Sequence, residues 1–537
     1  MNTWAGTRRN PEVVTTTAGA VRGLIDTDAG ICTWRGVYYG ADTSGRRRFR
    51  APTPARPWQG VRPAADFGPP APQPTNSWSD KPEGDEDCLH LDIVRPNTDE
   101  QLPVVVYFHG GTFLVGSSFE PVLQGWNLAT GLDAVYVSVN FRLGVLGYLD
   151  MRSLTEGDDV VATPALHDQV LALRWVQDNI AEFGGDPKNV TIMGESAGGA
   201  SVLSLMAVAS AHDLFHRVIA QSPPIAQIHS RAQSIMWTRR LVEKMGLGRS
   251  TGVDKLREVE AGDLVRAGQA MLGVGKELLH LNPCFAPTVD GILLTRHPLA
   301  VFADGEQARV PLIIGTNADE ASFGKFMYQR SSRRYRAARR LLDVYDPEFT
   351  ETILESYHGA TRRECFAELL ADVMFWAPAV RVADQHSEVA PTWMYRMDYA
   401  PRALRWLGLG AMHTLDLSVV FNDLRSSRAG AISRLSKDDG FREVAAEMQA
   451  QWRSFIHHGT ALSSWPRYRR AEHAVRVFDA ESSVENAPKE KQRQAWESFQ
   501  MTDWGIGRPD LLAELGLDSV TPAAVENSAL AGGWSQD

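Results

Sequence analysis

Residues 189–201 read "NVTIMGESAGGAS", and the fold turns on how this stretch is read. "NVTIM" is apolar and β-branched, which suits a buried strand, while the small and apolar residues from Gly198 onward have helical spacing. Ser196 therefore falls on the turn between strand and helix, inside a GxSxG pattern. A serine hydroxyl is a weak nucleophile until a base takes its proton and its oxygen stands clear of the backbone. Gly194 and Gly198 lack Cβ atoms, so strand and helix can approach closely while Ser196 occupies a strained tip.

Working outward, further apolar segments read as strands at "PVVVYFHGG", "DAVYVSVNFRLG", "RVPLIIGTN" and "PTWMYRMDY", with a helical pattern in "HDQVLALRWVQDNIAEF". That alternation predicts an α/β fold with a mostly parallel sheet flanked by helices. The chain of 537 residues has 44% hydrophobic content and a net charge of -10, which suits a large core and disfavours nucleic acid or an anionic membrane as partner. The basic run "RSSRRYRAARR" has the spacing of a solvated helix face. The start of the chain lacks the apolar core of a secretory signal, and nowhere do eighteen apolar residues follow one another, so the expectation is a soluble, cytoplasmic protein. Cys32, Cys88, Cys284 and Cys365 are scattered, and no HExxH occurs; neither disulfides, a metal site nor a cofactor is signalled. The Pro-rich stretch "FGPPAPQPTNSWSDKPEGDED" reads as a surface crossing. One domain is expected over 1–504, followed by a partly loose extension over 505–537.

Acyl transfer also needs donors aimed at the oxyanion of a tetrahedral intermediate. "FHGGTF" (108–113) supplies a glycine turn after a strand, and the Ala197 amide at the helix start supplies another N–H. The base and acid must follow the serine in chain order. His413 lies in a Gly-rich loop before an apolar run, whereas His457, His458 and His473 read as surface residues. "VPLIIGTNADEAS" places Asp319 and Glu320 just beyond a strand, and position does not choose between them.

Taken together with "RGVYYG", "RRRFRAPTPARPW", "EDCLHLDIVRP", "HGGTFLVGS", "VNFRLGVLGYL", "GTNADEAS" and "MHTLDLSVVF", the chain resembles the type B carboxylesterases, which include para-nitrobenzyl esterases and cholinesterases. The resemblance runs to about Trp496 and implies an α/β-hydrolase fold and serine esterase chemistry; crowding by Thr112 beside Phe323 predicts small to medium carboxylic esters as substrates. It implies Ser196 as nucleophile, Glu320 as acid and His413 as base, with oxyanion donors at Gly111, Thr112 and Ala197. A carbamate or amide hydrolase with the same triad is the alternative, and a non-catalytic binding protein the third reading. The base is expected to titrate near the reference value of about 6.5. Phe113 and Phe323 are expected to line the pocket, where Thr112 replaces the family's usual Gly or Ala. Cys88 matches a family cysteine that is often bridged, but Ala71 stands at the partner position, so no bridge is expected. The resemblance also implies two structural ion pairs, Arg48 with Glu86 and Arg142 with Asp168.

Overall fold

The computed structural model describes residues 8, 9, 13–76, 79–155, 157, 159–248, 250–272, 277, 280–427, 440–502, 504, 505 and 508. Among them, twelve strands form one sheet. In chain order these are β1 (Arg8–Arg9), β2 (Leu24–Asp26), β3 (Ile31–Tyr38), β4 (His90–Pro96), β5 (Leu102–Phe108) and β6 (Val135–Val139). They continue with β7 (Gly185–Glu195), β8 (Arg217–Gln221), β9 (Leu312–Asn317), β10 (Thr392–Met397), β11 (Ala474–Phe478) and β12 (Ser483–Asn486). The order across the sheet is β1-β2-β3-β4-β6-β5-β7-β8-β9-β10-β11-β12. From β6 to β11 neighbouring strands run parallel, and antiparallel strands extend both edges.

Burial on both faces explains why the central strands are mostly apolar. Every residue of β5, β6 and β9 is buried. Because side chains alternate across a strand, each strand feeds two cores. Val104, Val106 and Ile192 join one cluster, while Val105, Tyr107 and Met193 join the other. Helices cover the faces: α1 (Pro164–Asn179), α2 (Ala197–Met206), α3 (Ser331–Asp343), α4 (Arg363–Ala371), α5 (Ala377–His386), α6 (Phe441–His458) and α7 (Glu490–Glu497). α1 opens on Pro164, where a missing N–H costs nothing. α3 is the basic helix anticipated from its spacing, with Arg334, Ala338, Leu341 and Leu342 turned inward.

Register fixes what meets at the carboxyl ends of the parallel strands. Phe108 of β5 pairs with Gly194 of β7, so the glycine turn leaving β5 emerges beside the Ser196 turn. Glu320 follows β9 by three residues on the same edge of the sheet. Carboxyl ends of parallel strands are where open α/β sheets build their sites.

Both ion pairs expected from the resemblance form. Arg48 grips Glu86 with Nε and Nη2, each at 2.6 Å, and Arg142 grips Asp168 at 2.8 and 2.6 Å. All four cysteines are buried and none is in a disulfide, so Cys88 stands unbridged in the core. Two expectations change. The Pro-rich stretch is not wholly a surface crossing: Ala71–Pro74 is buried because Gln73 turns inward to bond backbone. His473 is buried rather than exposed, packed against Tyr468 and 3.3 Å from Asp384. Of the extension expected over 505–537, all but Gly505 and Arg508 lies outside the described residues.

Candidate active site

Ser196 sits between β7 and α2 with φ 56° and ψ -123°, a conformation that L residues avoid. The strain is held by backbone: the Ser196 N–H donates to the Gln221 carbonyl of β8 at 2.9 Å, and its own carbonyl accepts from Ala200 at 2.9 Å. The glycines of the motif are required by space. A Cβ on Gly198 would lie 2.0 Å from the Phe108 carbonyl oxygen, and one on Gly194 would lie 2.4 Å from the Gly198 carbonyl carbon. Ala197 is the first residue of α2, so no carbonyl within the helix reaches its N–H.

The glycine turn after β5 carries three successive residues in left-handed backbone, Gly111, Thr112 and Phe113, at φ 109°, 55° and 59°. Only glycine fits the first of these, because an added Cβ would lie 1.8 Å from the Val115 oxygen. A β-branched residue at φ 55° is unusual, and the Thr112 hydroxyl donates to the Gly111 carbonyl at 2.7 Å. Thr112 is exposed. The turn is braced from below by Gln73, whose amide donates to the Gly116 carbonyl at 2.9 Å and accepts the Gly116 N–H at 2.8 Å. Nothing in the composition of the Pro-rich stretch singled Gln73 out.

His413 is a quarter exposed and lies between the serine and a carboxylate. Its Nε2 is 2.8 Å from Ser196 Oγ, and its Nδ1 is 2.6 Å from Glu320 Oε2. The other Glu320 oxygen accepts the Asn317 N–H at 2.7 Å and the Ser222 hydroxyl at 2.5 Å. Asp319 turns the other way, accepting the Ala411 N–H at 3.2 Å and facing Lys325 at 3.5 Å. Position in the sequence did not separate these two carboxylates; the direction of the turn after β9 does.

Sequence reasoning assigned no role to three groups around the histidine. Glu195, the residue before the serine, is buried, and its Oε1 has no hydrogen-bond partner 3.5 Å from His413 Nε2. Asp416, three residues beyond His413 in the short helix Leu415–Val420, is fully buried and accepts from Tyr395 at 2.7 Å, Gln221 at 2.9 Å and Asn317 at 3.1 Å. Phe375 stacks on the His413 ring with centroids 4.5 Å apart. Of the pocket residues expected from sequence, Phe113 is buried against Tyr148, and Phe323 is 53% exposed just before the short helix Gly324–Met327.

Electrostatics follow from this enclosure. Burial opposes charging of His413, but the Glu195 and Glu320 carboxylates outweigh it and hold the imidazole above the ordinary 6.5. This corrects the expectation of an unshifted base. Burial pushes Glu195 up, against the opposing pull of the His413 charge, and burial with the nearby Glu320 charge raises Asp416. An imidazole hydrogen-bonded at one end to a hydroxyl and at the other to a carboxylate can take and return a proton in acyl transfer.

Comparison with known proteins gives the chain its family. The chain is 32% identical over 504 residues to the para-nitrobenzyl esterase of Bacillus subtilis, covering 90% of this chain and 98% of that one. It is also 32% identical to the phenmedipham hydrolase of Pseudarthrobacter oxydans, over 87% and 95% of the two chains. Among solved structures, a PNB esterase superposes with a TM-score of 0.82 at 32% identity, covering 90% of this chain and 99% of that one. The Geobacillus stearothermophilus carboxylesterase gives 0.78 at 32% identity, over 90% and 100%. The fold is therefore that of the α/β-hydrolases. The model of the family described as "Carboxylesterase family" matches residues 10–496, and the chain belongs to that carboxylic ester hydrolase family.

Proposed function

We propose that this protein hydrolyses small to medium carboxylic esters through a covalent acyl-enzyme formed on Ser196. One observation carries the reading: Ser196 Oγ, the His413 ring and the Glu320 carboxylate lie in one hydrogen-bonded line with links of 2.8 and 2.6 Å. His413 Nε2 takes the serine proton as Oγ attacks the ester carbonyl carbon, while Glu320 holds the ring and stabilises the imidazolium. The oxyanion is received by the N–H groups of Gly111, Thr112 and Ala197. Collapse expels the alcohol, protonated by His413. Water then attacks the acyl-enzyme, losing its proton to the same nitrogen, and the carboxylic acid leaves.

Thr112 and Phe323 set the size limit in this reading. Thr112 crowds the turn where the carbonyl docks, and Phe323, half exposed beyond Glu320, offers an apolar face to the hydrocarbon part of the substrate. Phe113 supports that wall from its seat on Tyr148. Turnover of para-nitrophenyl esters of rising acyl length tests the proposal, run beside Ser196→Ala and His413→Ala. Each variant should lose activity on the order of 10⁶-fold, by comparison with other serine hydrolases, and the double variant hardly more. Near-full activity in pure Ser196→Ala would sink it.

A further inference from the structure

The helical rod behind His413 is not uniform. Between α4 and α5 the residues Asp372–Trp376 wind as a single π turn, while Ala371 and Ala377 on either side keep ordinary helical angles. A π turn inserts one extra residue into a helix and redirects the side chains that follow; such turns concentrate at functional sites. This one faces two ways. Phe375 lays its ring on the His413 imidazole, centroids 4.5 Å apart and planes 29° apart. Asp372, three residues earlier, is buried and bonded to Tyr357 and Lys489.

Asp372 is clamped there. Lys489, immediately before α7, brings its ammonium within 2.7 and 2.6 Å of the two Asp372 oxygens and 3.0 Å of Glu368. The Tyr357 hydroxyl donates to Asp372 at 2.5 Å and accepts the Trp496 indole N–H at 2.8 Å. The same ammonium lies 4.9 Å from the ring centre of Trp376. A buried ion pair is an expensive way to hold a helix, since apolar packing of similar volume does so at least as well. No step of acyl transfer uses this one. Its consequence is to fix the turn from which Phe375 projects.

We propose that Phe375 is a positioning residue for His413, and that the π turn pinned by Lys489 and Asp372 is the device that presents it. This rests on the reading of His413 as base. The Glu320 hydrogen bond fixes the direction of Nδ1 but leaves the ring free to rock about that axis. A stacked phenyl face limits the rocking, and its electron-rich face favours the imidazolium that forms when the base takes a proton. The charged groups facing the imidazole are Glu195 from the end of β7, Glu320 from the loop after β9 and Asp416 from its own segment. All are carboxylates, so the phenyl ring acts in the same sense as they do.

The test is the pH profile of kcat/KM for para-nitrophenyl acetate, an acyl group too small to report on a pocket wall. Phe375→Leu is expected to fall about 10- to 100-fold at its optimum, as for a misplaced catalytic group, with KM little changed. Its acid limb should move down by roughly half a unit to one unit, because the imidazolium has lost a favourable face. Phe375→Tyr, which keeps the ring, should retain both properties. Lys489→Met alone would strand a buried carboxylate and unfold the region, so the clamp is tested by Lys489→Met with Asp372→Asn. That folded double variant should shift the limb in the same direction by less. An unmoved acid limb in folded Phe375→Leu, whatever its rate, assigns the ring to packing and overturns the proposal. His413→Ala turning over at the wild-type rate would instead remove the base assignment on which it stands.

Discussion

Three carboxylates surround one imidazole, and the protonation of that imidazole decides activity. Glu320 touches it at 2.6 Å, Glu195 lies at 3.5 Å, and Asp416 is buried three residues beyond it. The shift of His413 is upward, so the positive form persists to higher pH than in a free histidine. The base must be neutral to act, so activity is lost as pH falls through that raised value. kcat/KM should therefore rise with pH through a limb above 6.5, and Glu195→Gln should move that limb down. A limb at or below the ordinary histidine value in the wild type would contradict the account. The serine and the glycines around it were legible because they form a local pattern, whereas composition only favoured His413 and the resemblance assigned it. Glu320 was separated from Asp319 only by family resemblance, because both follow the same buried strand and only the turn distinguishes them. Glu195 was in view within the motif, but its isolation beneath the histidine depends on contacts made over 200 residues away.

At the scale of elements, the turn after β5 is where sequence and structure pull hardest against each other. Its Gly111 has no alternative, while Thr112 at φ 55° is a β-branched residue where glycine would rest more easily. Thr112→Gly should stabilise the fold by about 1 kcal/mol through relief of the left-handed strain, offset in part by the greater freedom of unfolded glycine. It should also raise kcat/KM for tert-butyl esters more than for methyl esters. Thermal unfolding and a paired ester series check both halves; an equal change across the series would show that Thr112 shapes no part of the site. β5, β6, β7 and β9 were readable because burial on both faces gives each a run of apolar residues. β8 and β11, "RVIAQ" and "AVRVF", carry an arginine within a five-residue run and escaped notice. The edge strands β1, β2 and β12 are two to four residues long, too short for any period to show. The π turn was equally hidden, since "ADVMFWAPAV" differs from an ordinary helix only by the winding that tertiary contacts impose.

The whole molecule is held by pairs of residues far apart in sequence. Arg142 is 2% exposed and Asp168 fully buried, and the guanidinium also donates to the Arg50 carbonyl at 2.9 Å. Arg142→Met should cost about 3–5 kcal/mol by leaving the Asp168 charge unpaired, while turnover per folded molecule stays near wild type. Thermal unfolding with active-site titration separates the two effects; lost turnover at unchanged stability would place the pair in the chemistry instead. These pairs were anticipated through resemblance, not from spacing, because no local pattern links residues 26 or 38 positions apart. The Lys489 clamp, 117 residues from Asp372, had no signal of any kind in the sequence. Among the described residues, no helix is long and apolar enough to cross a membrane.

The central claim is that chemistry passes through a covalent bond to Ser196. Diethyl para-nitrophenyl phosphate forms a stable adduct where an ester would form a transient one, so the most direct measurement is its stoichiometric reaction, followed by peptide mapping. The account predicts release of one equivalent of para-nitrophenolate, loss of all esterase activity, and a diethylphosphoryl group on the peptide holding Ser196, with no labelling of Ser196→Ala. Full inactivation with the adduct on another residue, or unimpaired turnover after Ser196 is labelled, would contradict it.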